Sequence, residues 1–181
     1  MNKLNKTFFV LSYVIGIVFT DIFYFFYERD ANLTFLSLDF AVWIYLTIVT
    51  MVLWYKAWRS IQDDYTSLTP VRAIVFLLIP IFNLYWIFRA FGGFPKDYNA
   101  YIKRHNLSVI PLSEKLYEIY CFLLLCSTLW VSILIFISIL FFIPIPDILI
   151  IPIGIVNFLY NLIIIIKTVD AVNSIITAKK Y

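Results

Sequence analysis

This sequence predicts an all-α integral membrane fold with four transmembrane helices, and three observations carry the prediction. Hydrophobic residues make up 63% of the 181 residues and charged residues 14%, against roughly 45–50% apolar and about 25% charged in an ordinary soluble domain. The mean hydropathy is +0.92. Four apolar runs each approach the roughly 20 residues that cross about 30 Å of hydrocarbon. A soluble chain this short cannot bury so much apolar surface. Disorder is excluded as well, because it requires low hydrophobicity.

The first run, Phe8–Tyr27, follows Lys3 and Lys6. It is as long as a full span, rich in Phe and Tyr, and lacks a small-x-small cleavage site, so it reads as an uncleaved helix and not as a signal peptide. The second run covers about 40–55, the third about 119–142 and the fourth about 148–166, with Pro152 in its first turn where a missing amide hydrogen costs little. The links between paired runs are short and acidic: Glu28, Arg29, Asp30 and Asp39 in one, Asp147 in the other. The two prolines of Ile143-Pro-Ile-Pro146 stiffen the second link. Together the spans and linkers use the whole length, leaving a single membrane domain over 1–181 and no room for a soluble one.

A fifth run, about 70–91, is of another kind. Thr69-Pro70 predicts a capped helix start with proline at the first helical position. Pro80 and Asn83 interrupt the middle, and Gly92-Gly93 predicts a stop. Arg72 and Arg89 bracket only 16 uncharged residues, below the usual minimum for a span. Charge distribution decides how this run sits, because Lys and Arg gather on the cytoplasmic side. If all five runs cross, the better orientation places nine basic residues inside and five outside. If 70–91 enters and leaves on one side, thirteen of the fourteen lie inside and Arg29 alone lies outside. The expectation is therefore four spans plus a Pro-broken re-entrant or interfacial helical hairpin, with both termini cytoplasmic; five transmembrane helices are the alternative. Broken backbone at membrane depth needs shielding by protein or water, so the hairpin is expected to pack among the four helices.

The stretch from Thr69 to Phe91, with Thr69-Pro70, Ala73-Ile-Val75, Ile79-Pro80-Ile-Phe-Asn83 and Tyr85-Trp86, resembles a block found in small bacterial multi-pass membrane proteins of unknown function. Its flanks are similar too: Tyr55-Lys-Ala-Trp-Arg59 before it, Lys96-Asp-Tyr-Asn99 after it and Asp170-Ala-Val-Asn173 near the C-terminus. Arg72 departs from the small residue or lysine more usual there. The resemblance covers roughly 40–175. It implies a bacterial cytoplasmic (inner) membrane and brings no activity with it.

Ionisable residues inside a membrane are functional candidates because burying a charge there is costly. Asp21 lies roughly 10 Å below the outer boundary by helical rise, Asn157 roughly 12 Å and Ser132 roughly 15 Å. With Asn161 they make a candidate intramembrane polar site, either a proton or cation site or a set of interhelical hydrogen bonds. Asn83 is a further candidate, able to reach carbonyls freed by Pro80 or a ligand. Arg72 and Arg89 are expected to contact lipid headgroups or another anion. Cys121 and Cys126, five apart on different helix faces, read as small hydrophobes. His105 has no cysteine partner for zinc. Asp63-Asp64 is a weak metal signal that reads as a solvated loop, and no nucleophile elbow, phosphate loop or zinc helix is present.

No metal or cofactor is expected, and no nucleic-acid partner, since the basic residues mark membrane boundaries instead of tracking phosphates. The leading functional expectation is a non-enzymatic partner subunit or scaffold of a membrane assembly, with the bilayer and another membrane protein or a second copy as partners. The alternative is a small-solute or ion transporter or channel using Pro80, Asn83 and Asp21. A lipid-modifying enzyme would need Asp63 or Asp64 in one polar cavity with His105.

Overall fold

The computed structural model describes residues 2–141 and 149–179. Within them the regular elements are all helical. Four helices are long and apolar enough to cross a membrane: α1 (Lys6–Asp30), α2 (Leu33–Ser60), α6 (Glu114–Phe141) and α7 (Ile151–Ala178). Between α2 and α6 lie three short helices: α3 (Pro70–Val75), α4 (Phe82–Ile87) and α5 (Gly93–Arg104). The Ile143–Pro146 link and Asp147 lie outside the described residues.

Each turn has a local chemical cause. Asn5 caps α1 by accepting from the Phe8 N–H, and Asn32 caps α2 by accepting from the Thr34 N–H. Between them Ala31 takes a left-handed conformation and donates its N–H to Tyr27 O, so two residues reverse the chain. Thr69 caps α3 through the Arg72 N–H, with Pro70 at the first helical position as predicted. Asn106 ends α5 at φ 48°. The Leu107 N–H reaches back to Ile102 O and the Asn106 N–H to Lys103 O, which is the Schellman pattern with asparagine in the place glycine usually takes.

At the end holding both termini the helices outrun the apolar runs, and that is where the core lies. α2 continues through Lys56 to Ser60, α6 begins five residues before Ile119, and α7 runs twelve residues past Ile166. The added turns are amphipathic. Trp54, Trp58 and Ile61 from α2 and its end, Tyr117 and Cys121 from α6, and Val169, Val172 and Ile175 from α7 are fully or almost fully buried. Phe94 and Tyr98 of α5 plug the middle, with Trp54 packed edge-on to Phe94 and Tyr117. The Trp58 indole N–H donates to Ala90 O. Toward the other end, packing thins. On α6 no described residue after Cys121 is buried, and on α7 none before Ile164. α1 and α2 stay paired there, helped by Gly16, where an added Cβ would collide with the Leu46 side chain.

The segment between α3 and α5 is a broken hairpin. A 3-10 turn (Phe76–Leu78) leads to Pro80, and the chain reverses at Ile81. Ile81 has φ 67° and ψ −50°, and the Phe82 N–H donates to Pro80 O at 2.7 Å. This is a γ-turn of the strained hand. Gly92-Gly93 does not stop the helix: both glycines keep right-handed dihedrals, and a π-helical turn (Phe88–Gly92) runs straight into α5. A glycine stop needs the left-handed conformation, and Gly92 lies beside Cys121 Sγ at a spacing where an added Cβ would make an ordinary contact. Ala73, Trp86, Ala90 and Phe91 seat the base of the hairpin in the core. Its tip departs from the expected shielding, since Ile81 is 84% exposed and Leu78 and Tyr85 are also exposed. The backbone around Pro80 is satisfied locally instead, by Asn83 N–H to Ile79 O and Leu84 N–H to Ile81 O.

Candidate functional site

The motifs flanking the hairpin turn out to be backbone clamps. Asn173 of α7 accepts the Leu4 N–H at 2.6 Å and donates to Leu4 O at 2.9 Å. One turn earlier Asp170 pairs with Lys6 at 2.8 Å. Asn99 of α5 does the same to Leu112, accepting its N–H at 2.8 Å and donating to its carbonyl at 2.9 Å. An asparagine side chain offers the same donor–acceptor pair as a peptide. It can therefore hold an irregular segment that has no strand or helix to join. Asp97, two residues before Asn99, accepts the Ser67 N–H at 2.7 Å. That bond joins the chain just before the hairpin to the chain just after it.

A polar latch forms beside this clamp. Asp63 accepts from Arg104 (2.8 Å), Thr66 Oγ1 (2.9 Å) and the Tyr65 N–H (3.0 Å), and lies 3.3 Å from His105 Nε2. Burial pushes the Asp63 carboxyl up, but the bonds from Arg104, Thr66, the Tyr65 N–H and His105 outweigh it and hold the group at about 2. Asp63, Asp64, Tyr65, Arg104 and His105 line an open cleft of about 440 Å³. The structure thus brings Asp63, Asp64 and His105 together, which spacing alone could not show. The chemistry they offer is limited. Asp63 is saturated and strongly acidic, so it makes a poor general base at neutral pH. The His105 ring is held between Asp63 and the Tyr101 ring, whose centroid is 4.3 Å away. Among the described residues no three of His, Cys, Asp or Glu cluster as a metal site. A second groove of about 370 Å³ runs between Ile110–Ser113 and the Lys167–Ser174 turns of α7.

The expected intramembrane polar layer is not assembled. Ser132 bonds Thr128 O of its own helix. Asn161 accepts the Tyr120 hydroxyl at 2.7 Å and donates to Asn157 O, so it ties α6 to α7. The Asn157 side chain has no partner among the described residues. Asn83 is half-buried and its amide bonds none of the carbonyls near Pro80; its backbone N–H does that work. Asp21 stands exposed on α1 with no hydrogen bond or ion pair to a described residue. What it does meet is Asp39. Asp39 faces Thr20 and Asp21 from inside α2, although its place before the apolar run 40–55 reads as a link. Thr20 Oγ1 and Asp39 Oδ1 are enclosed without a well-formed hydrogen bond. Its signal in the sequence was the apolar stretch Leu33–Leu38 ahead of it, which carries the helix back to Asn32.

Arg72 and Arg89 are exposed and bond no described side chain. Cys121 is buried and Cys126 exposed, both as free thiols. No protein-family model, curated protein or solved structure matches the chain.

Proposed function

We propose that this protein is a non-enzymatic subunit or scaffold of a larger assembly in a bacterial cytoplasmic membrane, with both termini in the cytoplasm and the hairpin dipping into the cytoplasmic leaflet. One observation carries the reading. The end of the bundle holding the termini contains most of the buried core, while at the other end Asp21 stands exposed without a cation or hydrogen-bond partner among the described residues, beside the enclosed Thr20 and Asp39. An acidic side chain within a span costs up to about 2.5–3.5 kcal/mol on insertion scales, the upper value at its centre and less toward the boundary. A partner helix carrying a cation or a donor, from another protein or a second copy, offsets that cost.

The topology is supported by the Ser67–Asp97 bond, which joins the two flanks of the hairpin. A segment whose ends meet does not traverse about 30 Å of hydrocarbon. From Pro70 to Leu78 the first limb rises about 15 Å, enough to reach mid-bilayer and return.

The test is photo-crosslinking in native membranes at native abundance from position 25, one turn beyond Asp21. The expected result is a discrete adduct that weakens in Asp21→Asn/Asp39→Asn. Recovery of the monomer alone overturns the proposal. Proton or cation flux in proteoliposomes that vanishes in the same variant would replace it with the transport reading, since an unpaired acid pair also suits a cation site.

A further inference from the structure

From Tyr65 to Lys96 the chain carries no acidic residue. The hairpin occupies this interval, and its two arginines, Arg72 on α3 and Arg89 on the returning limb, are exposed and without partners among the described residues. α3 packs against α2, whose last turns add Lys56 and Arg59, likewise without an ion pair to a described residue. Of the other cations at this end, Lys6 is paired with Asp170, Lys96 with Glu118 and Arg104 with Asp63, whereas Lys3, Lys103, Lys115 and Lys167 make no ion pair to a described residue. What sets the hairpin side apart is that its four unpaired cations include both exposed arginines of the hairpin and border an interval with no carboxylate in sequence. From Arg72 the outward face of the first limb continues as Val71, Val75 and Leu78, and from Arg89 the second limb continues one turn back to Tyr85, all exposed.

We propose that the hairpin base is a binding surface for the phosphodiester of an anionic phospholipid. Arg72 and Arg89 face the phosphate, Lys56 and Arg59 add to the field, and the apolar face of the limbs lies along the acyl chains. It rests on the reading that the hairpin stands in the leaflet. Three features select this occupant. A guanidinium offers paired donors that match phosphate oxygens. The apolar stripe leading away from each arginine suits a molecule with a charged head and a hydrocarbon tail, which free phosphate lacks. A zwitterionic lipid carries no net charge, so a cationic surface draws it less strongly than an anionic one.

The test reconstitutes the full chain into vesicles of equimolar phosphatidylcholine and phosphatidylglycerol, extracts it with its lipid shell, and quantifies both lipids by mass spectrometry. The expected result is several-fold enrichment of phosphatidylglycerol over the bulk ratio. That enrichment falls toward bulk in Arg72→Gln/Arg89→Gln and persists in Lys115→Gln/Lys167→Gln, whose charges lie on α6 and α7. Equal enrichment in both variants overturns the proposal. So does loss of enrichment on adding inorganic phosphate, which would reveal a soluble-anion site. A fluorophore on Ile81→Cys separates the two levels. Quenching by brominated acyl chains without enrichment leaves the insertion reading standing and removes the headgroup surface; absence of quenching removes both.

Discussion

At the residue scale, Asp63 shows how a charge can be structural. Its ordinary carboxyl value is 3.8 and the fold holds it at about 2. A carboxyl depressed in the folded state contributes stability above its ordinary value and loses it as pH falls through the folded one. The contribution is about 1–2 kcal/mol once solvent screening around Arg104 is allowed for. The expectation is that Asp63→Asn is less stable than the parent protein at neutral pH by that amount, and that the two converge as pH falls from 3.8 toward about 2. Thermal unfolding in detergent across that range checks it, and a constant difference throughout would show that the latch is not electrostatic. In sequence, Asp63 reads as a solvated loop residue, because its partners Arg104 and His105 lie more than forty positions away. The clamps of Asn99 and Asn173 were hidden for the same reason. Asp21 was visible as an isolated acid in an apolar run, whereas its neighbour Asp39 was masked by lying at the edge of one.

At the element scale, the broken hairpin turns on a single strained residue. Ile81 is β-branched and sits at φ 67°, a region that only glycine enters without penalty. Such a conformation costs about 1–3 kcal/mol and persists because the surrounding structure holds it. Phe76, Phe82 and Trp86 supply that hold, with Phe76 edge-on to Trp86 at 4.7 Å and Phe82 stacked on it at 5.4 Å. Ile81→Gly is therefore expected to raise stability by about 1 kcal/mol, measured by unfolding in mixed micelles. Ile81→Pro is expected to lower it, because the proline ring fixes φ near −65°. A destabilised glycine variant would mean the Ile81 side chain contributes more than its backbone costs. Pro80 announced the break and Thr69-Pro70 the start. The run-on through Gly92-Gly93 was not legible, because a glycine pair signals a stop only when its dihedrals turn left-handed.

At the scale of the whole molecule, the apolar runs identified which helices can span but not where they hold together. The buried side chains lie mainly in mixed polar–apolar turns such as Lys56–Ser60 and Thr168–Ile176, which window hydropathy discards. A helix surface facing lipid needs no pattern, whereas one facing protein does. The charge arrangement of the assembled chain then makes a prediction about both flanks of the hairpin. Ser67 and Lys103 are exposed on the side that also holds both terminal segments, while Leu33 is exposed at the turn between α1 and α2. In a background of Cys121→Ala and Cys126→Ala, Ser67→Cys and Lys103→Cys are expected to react with an impermeant maleimide only in inverted vesicles, and Leu33→Cys only in right-side-out ones. This follows because thirteen of the fourteen Lys and Arg residues then share the cytoplasmic compartment. Labelling of Ser67→Cys and Lys103→Cys from opposite faces would require 70–91 to cross. The Ser67–Asp97 contact could not then form, and the bond from the Trp58 N–H to Ala90 O and the packing of the Phe88–Gly92 turn against α6 would be lost with it.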